Sequence, residues 1–202
     1  QLKDLTPKEK ESVKKYYVKN VFPVLTPLSV DPGHPFPFLS NLSTSLGVTL
    51  KHPDHEEKLF ARIKVPKVLP SWILVEGSNQ KYVSLLDVII LNVQDLFPMM
   101  QVLNVMPFRI TRNADSDRDD DDDAEDLLQS IAEELRQRRF AEVVRVHHVP
   151  VPDPWMLNFL MQELDLKDED IYLHPHDLDY TDWYYIADLP RPALTFETYT
   201  PL

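Results

Sequence analysis

Four basic side chains occur in two short segments that alternate like β-strands, and together they would suit an anion. They are Arg62 and Lys64 in "KLFARIKVP", and Arg109 and Arg112 in "PFRITRNAD". Guanidinium groups bind phosphate oxygens through paired hydrogen bonds, and neighbouring hydroxyl groups add neutral donors, so an extended polyanion would fit. From sequence alone the simpler interpretation is a solvated sheet face, because charged side chains usually mark only the wet side of a sheet.

The strand that would supply the hydroxyl groups is "LSTSLGVTLK". Every second residue from Leu42 to Leu50 is apolar or threonine, which is the period of a half-buried strand. "KLFARIKVP" alternates in the same way after a polar loop, so the two strands should pair as a hairpin with one face in the core and the other in solvent. The strand "FRITR" would join them, with Arg109 and Arg112 on its opposite faces.

The remaining segments predict helices and further strands around this sheet. Thr6, Pro7 and Glu9 form a capping box that begins the first helix. Two short strands, "WILVEG" and "KYVS", precede a buried helix in "LLDVIILNVQDLF", and the strand "EVVRVHHV" follows a long helix from Ala124 to Arg139. Asp153 begins a further helix, "PWMLNFLMQELDL". The predicted fold class is therefore α+β, a single domain with a mainly antiparallel sheet and packed helices.

The segment "FPVLTPLSVDPGHPFPFLSN" has repeated prolines between apolar residues. Each proline fixes its own φ and removes a backbone donor, and the residue before it is pushed towards extended geometry. We therefore expect an ordered, extended loop rather than a helix or a central strand. Its apolar side chains indicate that it packs against a core, since a disordered linker would be polar.

The composition argues against several classes of protein. A formal net charge of −12 over 202 residues argues against a nucleic-acid binder. Without cysteine there is no disulfide, thiol nucleophile or cysteine zinc site, and a cytoplasmic location is expected. Three glycines cannot build a glycine-rich phosphate loop, so side chains would have to bind any phosphate. No apolar run has the length of a transmembrane segment.

Neither the acidic segment nor the histidines predict a metal or catalytic site. Read as an EF-hand, residues 115–126 have Asp120 where glycine is required and Asp126 where a bidentate glutamate is required. A solvated loop is the better interpretation, and a calcium sensor is the minor alternative. His147 and His148 point to opposite faces of one strand, and no third ligand is identifiable. The residues alone thus predict an α+β interaction domain without a catalytic centre.

One long motif and several shorter ones resemble a known family. "FPVLTPLSVDPGHPFPFLSNLS" closely resembles the opening of the middle, or head, domain of bacterial-type polyphosphate kinases. The segments that agree in order are "ARIKVPKVLP", "YVSLLDVI", "LFP", "PFRITRNAD", "EDLLQSIAEELRQRRFAEVVRV" and "ADLPRPAL". The resemblance is weaker between about residues 149 and 185. It implies a head domain over residues 1–190, followed at 191–202 by the start of a linker to C-terminal catalytic domains outside this chain.

The resemblance also implies the reaction of the full-length enzyme. Such an enzyme is an ATP-binding phosphoprotein that transfers the γ-phosphoryl group of ATP reversibly to inorganic polyphosphate, through a phosphohistidine and with ADP and Mg²⁺. These groups would act in domains outside this chain. None of its histidines matches the phosphorylated one, so the resemblance implies no catalytic, cofactor-binding or metal-binding residue here and an inactive isolated fragment.

For the head domain itself, the resemblance implies mainly a role in assembly. Its partners would be the enzyme's own N-terminal and C-terminal domains and further subunits in a dimer or higher oligomer, in the cytoplasm or peripherally on a membrane. Inorganic polyphosphate, or the neighbouring subunit's catalytic domain, would be contacted by the cations concentrated in this acidic chain: Arg62, Lys64, Arg109 and Arg112. The alternative is a stand-alone acidic protein-interaction scaffold with no phosphate chemistry.

Overall fold

The computed structural model describes residues 4–31, 33–78, 81–113, 140–150, 152–175, 177–194, 196 and 199–201. The acidic segment 115–126, the helix predicted from Ala124 to Arg139, and His176 lie outside the described residues, so what was inferred for them stays a prediction. Within the described part, no helix combines the length and the apolar character needed to cross a membrane.

A six-stranded sheet forms the centre of the protein, and a second sheet has two strands. The large sheet has the order β1-β3-β2-β6-β7-β8 and is antiparallel except between β7 and β8, while β4 and β5 pair separately. This confirms the single α+β domain with a mainly antiparallel sheet. The strands are β1 (Pro27–Val30), β2 (Thr44–Lys51), β3 (Lys58–Lys64), β4 (Trp72–Leu74), β5 (Tyr82–Ser84), β6 (Gln101–Arg112), β7 (Val143–His148) and β8 (Ile171–Leu173).

Helices begin where the sequence supplies caps. At the start of α1 (Pro7–Tyr16), the Thr6 N–H donates to the Glu9 carboxylate at 2.7 Å, and the Glu9 N–H donates to Thr6 Oγ1, which confirms the capping box. Asp153 caps a further α-helix, as predicted, and Ser84 caps the α-helix before it. The other helical segments are α2 (Leu85–Leu91), α3 (Pro154–Glu163), α4 (Tyr184–Ala187), a π-helical turn (Tyr17–Val21) and 3₁₀ turns at Phe22–Val24, Val93–Leu96, Asp168–Asp170, Tyr180–Trp183 and Pro192–Leu194.

Both faces at the centre of the sheet are buried. On the first face, Leu46, Val48 and Leu50 of β2 belong to a core that includes residues of α1 and α2. On the second face, Ser45 and Thr49 are each 1% exposed. The prediction that this hairpin has one solvated face is therefore wrong.

The helix α3 explains the burial of the second face. Asp153, the cap of α3, accepts a hydrogen bond from the Thr49 hydroxyl at 2.7 Å, and Met156 of α3 packs over Gly47, which has no side chain to obstruct it. Around this contact lies a second core, which contains Leu39, Phe60, Met106, Phe108, Ile110, Val143, Val146, Met156, Leu160 and Leu166.

The proline segment is partly helical and partly strand. Phe22–Val24 forms a 3₁₀ turn, and Pro27–Val30 is β1, which pairs with β3 at the edge of the sheet. An edge strand tolerates proline because its outer N–H groups need no partner in the sheet. Leu39, further along, is buried in the second core. A wholly extended loop is thus wrong for the first half of the segment, whereas packing against a core is confirmed.

We expect Glu9→Gln to remove a pH-dependent part of the stability. The Lys81 ammonium group and the Thr6 N–H donate hydrogen bonds to the Glu9 carboxylate and hold its pKa below the usual range. A carboxyl group with a lowered folded-state pKa stabilises the protein above its unfolded-state pKa of about 4.3, and this stabilisation is lost as the pH falls through the folded-state pKa. The wild type should therefore exceed Glu9→Gln in free energy of unfolding near neutral pH, and the difference should shrink in acid.

Urea denaturation between about pH 3 and pH 7 measures this difference in free energy of unfolding, because the carboxyl group titrates at the acidic end of that range. Glu57→Gln is the matched control, because Glu57 is exposed in the loop between β2 and β3. A difference between wild type and Glu9→Gln that stays constant with pH would contradict the assigned role of the carboxylate.

Candidate functional site

Arg62 is a buried cation on β3. It lies directly opposite Gly47 of β2 and Leu28 of β1, and it is 5% exposed. Its Nε donates a hydrogen bond to Ser45 Oγ at 3.1 Å, and its buried Nη2 has no hydrogen-bond partner in the part of the chain that the structure describes. Burial lowers the pKa of the guanidinium group, which nevertheless stays charged because arginine is not deprotonated in proteins. A buried charge of this kind is unfavourable unless an anion reaches it.

Lys64 lies two residues further along β3 and faces the same side of the sheet, opposite Ser45. Its Nζ donates to Ser40 Oγ at 3.4 Å, and the residue is exposed. Neither Arg62 nor Lys64 forms a salt bridge with a carboxylate of the described residues. The structure thus brings two cations and two hydroxyl groups together. We call Arg62 and Lys64 the β3 cation pair.

Arg109 lies on the other side of the sheet from the β3 cation pair, opposite Thr44 of β2 and His147 of β7. Its Nη1 donates to the Leu178 carbonyl at 2.7 Å and lies 3.3 Å from Asp179 Oδ1. Its Nε is buried without a hydrogen-bond partner. Arg109 therefore fastens the segment after β8 to the sheet.

Arg112 binds backbone carbonyl groups. Its Nε and Nη2 donate to the Leu39 carbonyl at 3.0 and 2.9 Å, and its Nη1 donates to the Ala141 carbonyl. Its guanidinium carbon lies 4.7 Å from the centre of the Phe38 ring. These contacts join the proline segment to the residues before β7. Of the four predicted contacts, Arg62 and Lys64 lie side by side, whereas Arg109 and Arg112 each have separate surroundings.

A cluster of basic groups beside Arg109 escapes sequence reasoning. Arg145 and His147 lie on one face of β7, and His147 pairs with Arg109 of β6. The centre of the His147 ring is 5.9 Å from that of Tyr172 and 5.7 Å from that of His174. The alternation in "VRVHH" would have indicated the common face of Arg145 and His147, but the approach of His174 depends on the pairing of β7 with β8. We call Arg109, Arg145, His147 and His174 the β7 basic cluster.

The histidines of β7 lie on opposite faces, as predicted. His147 is on the face of Arg109, whereas His148 pairs with Phe108 and is 5% exposed. Among the residues that the structure describes, no group of three or more His, Cys, Asp or Glu side chains is arranged to hold a metal ion.

Most of the chain matches a known family. The family described as "Polyphosphate kinase middle domain" matches residues 8–186. The chain belongs to this family. The resemblance of the proline segment to polyphosphate kinases is therefore confirmed, and it extends over the two sheets and both cores.

Similar polyphosphate kinases are several times longer than this middle domain. The chain is 39% identical over 207 residues to "Polyphosphate kinase" of Mycobacterium ulcerans (strain Agy99). This alignment covers 98% of the chain and 28% of that protein. It is 40% identical over 205 residues to "Polyphosphate kinase" of Synechocystis sp. (strain ATCC 27184 / PCC 6803 / Kazusa). This second alignment covers 96% of the chain and 28% of that protein. The middle domain thus spans about a quarter of the length of these relatives.

A solved polyphosphate kinase has the same fold over this region. The crystal structure of polyphosphate kinase from Porphyromonas gingivalis superposes with a TM-score of 0.69 at 21% sequence identity. The match covers 98% of the middle domain and 28% of the solved chain. At this level of identity the likeness concerns the fold.

Proposed function

We propose that this polyphosphate kinase middle domain serves mainly in subunit assembly, within a cytoplasmic enzyme that transfers the γ-phosphoryl group of ATP reversibly to inorganic polyphosphate. The family match over residues 8–186 and the relatives named polyphosphate kinase support the reaction of the whole enzyme. On this proposal ATP, ADP, Mg²⁺ and the phosphorylated histidine act in the rest of the enzyme, and the isolated chain is inactive.

Exposed apolar side chains in the helical start of the chain carry the assembly proposal. Val18, Phe22 and Val24 are 53%, 40% and 44% exposed and follow one another along the π-helical and 3₁₀ turns. Phe22 makes an edge contact with the buried Tyr17 ring, with 5.9 Å between the ring centres. Exposed apolar side chains grouped in this way are typical of protein contact surfaces. We call Val18, Phe22 and Val24 the assembly surface and assign it to a neighbouring subunit.

In the full-length enzyme, Phe22→Ser combined with Val24→Ser is expected to weaken subunit association at least about tenfold, because burial of each large apolar side chain contributes about 1.5–3 kcal/mol. Light scattering during gel filtration, over a range of protein concentrations, measures the dissociation constant. Val68→Ser combined with Leu91→Ser is the matched control, because these side chains are 83% and 55% exposed elsewhere on the chain. An unchanged dissociation constant in the Phe22 and Val24 variant would overturn the assembly proposal.

Contact with polyphosphate is a second function, which the β3 cation pair favours. Arg62 and Lys64 lie side by side without a salt bridge to a described carboxylate, in a chain whose net charge is −12. Salt distinguishes the two functions, since contact through apolar side chains changes little with ionic strength, whereas binding of a polyanion weakens steeply. A scaffold with no phosphate chemistry would bind no polyphosphate at any salt concentration.

A further inference from the structure

We infer that the β7 basic cluster is a pH-dependent binding site for a phosphate group, on the side of the sheet opposite the β3 cation pair. Arg109, Arg145, His147 and His174 would bind the phosphate oxygens. The inference goes beyond the proposed function and does not depend on it, because the cluster would recognise a phosphate group in any ligand that presents one.

Strand pairing holds the cluster together. Arg109 and His147 are direct partners in the β6–β7 pair, and Arg145 precedes His147 by two residues on the same face of β7. The His174 backbone N–H donates to the His148 carbonyl at 2.7 Å, which places His174 beside the end of β7. The position of each group is therefore set by backbone hydrogen bonds rather than by flexible side chains alone.

The positive charge of the two arginines is only partly balanced by the described residues. Arg145 Nε and Nη2 donate to Thr111 Oγ1, a neutral acceptor, at 3.3 and 3.2 Å. Asp179 lies 3.3 Å from Arg109, and it also accepts a hydrogen bond from the Thr181 hydroxyl at 2.6 Å. Arg109 Nε is buried and has no hydrogen-bond partner among the described residues. These arginines therefore carry more positive charge and more donors than the nearby acceptors satisfy.

The protonation of His147 responds to the same surroundings. Burial lowers the pKa of His147 below its usual range, and the positive charges of Arg145, His174 and Arg109 lower it further. A bound anion would offset this repulsion and raise the pKa of His147, so anion binding and protonation strengthen each other. The charged and titratable groups of the elements around His147 are Arg109 of β6, Arg145 of β7, Tyr172 of β8, and His174, Asp179 and Tyr180 of the segment that follows.

The cluster is open to a ligand. Arg145, His147 and His174 are half-buried, and Tyr172 and Tyr180 are 48% and 56% exposed. Donors that approach from two strands and the following segment suit an anion with several oxygens, and the planar arginine fork matches phosphate geometry. The phosphate group would belong to a phosphate chain or to a nucleotide, whose base would contact the tyrosine rings.

Calorimetric titration of the 202-residue chain with tripolyphosphate and with ATP tests the inference. We expect tripolyphosphate to bind about tenfold more tightly near pH 5.5 than near pH 8, because protonation of His147 adds positive charge. If tripolyphosphate and ATP bind with equal affinity, the cluster recognises the phosphate groups alone. If ATP binds more tightly, the base of the nucleotide makes an additional contact. Equal tripolyphosphate affinity at the two pH values would overturn the inference.

Two variants remove the charge while keeping the local contacts. His147→Phe keeps an aromatic ring beside Tyr172 and should abolish most of the pH dependence. Arg145→Gln keeps a donor for Thr111 and should weaken binding at both pH values, because arginine stays charged at each of them. His55→Phe is the matched control, because the rings of His52 and His55 lie 5.0 Å apart in the loop between β2 and β3, beside Asp54 rather than arginine. An equal loss of pH dependence in His55→Phe would contradict the assignment to the β7 basic cluster.

A measurement on the wild-type chain does not depend on whether the variants fold. The pKa of His147, followed by NMR, should rise by about one unit when tripolyphosphate is bound, which corresponds to the tenfold linkage. An unchanged pKa would overturn the inference. If Lys64→Ala abolished tripolyphosphate binding and His147→Phe left it intact, the ligand would lie at the β3 cation pair; the inference would then fail while the proposed polyphosphate contact stood.

Discussion

Replacing Met156 with alanine is expected to lower the free energy of unfolding by about 2–5 kcal/mol. Met156 is fully buried on α3 and packs against β2 at Gly47. Truncation removes apolar contacts and leaves a cavity that the helix and the sheet cannot close without moving. Urea denaturation measures the loss, and Val68→Ala is the control, since that side chain is 83% exposed and its truncation should change stability little.

The contact with Gly47 can be isolated by a double-mutant cycle. A Cβ atom on Gly47 would overlap Met156 Sδ and would lie 3.0 Å from Phe60 Cε2. Gly47→Ala alone should therefore destabilise the fold by about 1–3 kcal/mol. In the Met156→Ala background the new methyl group would enter the cavity, so the double variant should be more stable than the sum of the single losses predicts. Additive losses would show that the two sites do not interact directly.

Arg62→Met is expected to raise the free energy of unfolding by about 1–4 kcal/mol, because replacing buried charge with well-packed apolar groups is often stabilising. Among the described residues, Arg62 has one hydrogen bond, to the neutral Ser45 hydroxyl, and its buried Nη2 has no partner, so little is lost with the guanidinium group. If the β3 cation pair binds polyphosphate, the same variant should weaken that binding about tenfold or more at low salt. Urea denaturation gives the stability, and titration with polyphosphate at low and moderate salt gives the binding.

Arg112→Met is the matched control for stability, because the same substitution is made in different surroundings. It would remove the donors that satisfy the Leu39 and Ala141 carbonyl groups, so we expect a loss of about 1–3 kcal/mol for each carbonyl left unsatisfied. An equal loss in Arg62→Met would show that Arg62 has a structural partner and would contradict its expected stabilisation.

Local patterns predict the strands and helix starts well, because they depend on local physics. The alternation in "LSTSLGVTLK" predicts β2, and the side chains of Thr6 and Asp153 predict where two helices begin. The same patterns wrongly predict that the second face of β2 is exposed to solvent, because serine, glycine and threonine are typical of exposed strand faces. That face is covered by α3, and the Thr49–Asp153 hydrogen bond joins residues 104 positions apart. No local window contains this information.

The candidate sites are likewise predictable from the sequence only in part. The period of a strand is enough to place Arg62 and Lys64 on one side of β3. The surroundings of Arg109 depend on which strands flank β7, and a parallel neighbour such as β8 leaves no hairpin signal in the sequence. Longer motifs such as the proline segment indicate the polyphosphate kinase family, whereas four cations on strands are not specific to one chemistry.

The order in which the chain is synthesised makes the Asp153 contact a late event. Asp153 caps α3 with one carboxylate oxygen and binds the Thr49 hydroxyl in the middle of the sheet with the other. Because a nascent chain emerges from its N-terminus, β2, β3 and β6 leave the ribosome well before α3. Phe60, Met106 and Phe108 share a core with residues of α3, so they lack that cover until α3 docks. We therefore expect an interval during synthesis in which these side chains are exposed to a chaperone, whereas they are buried in the finished protein.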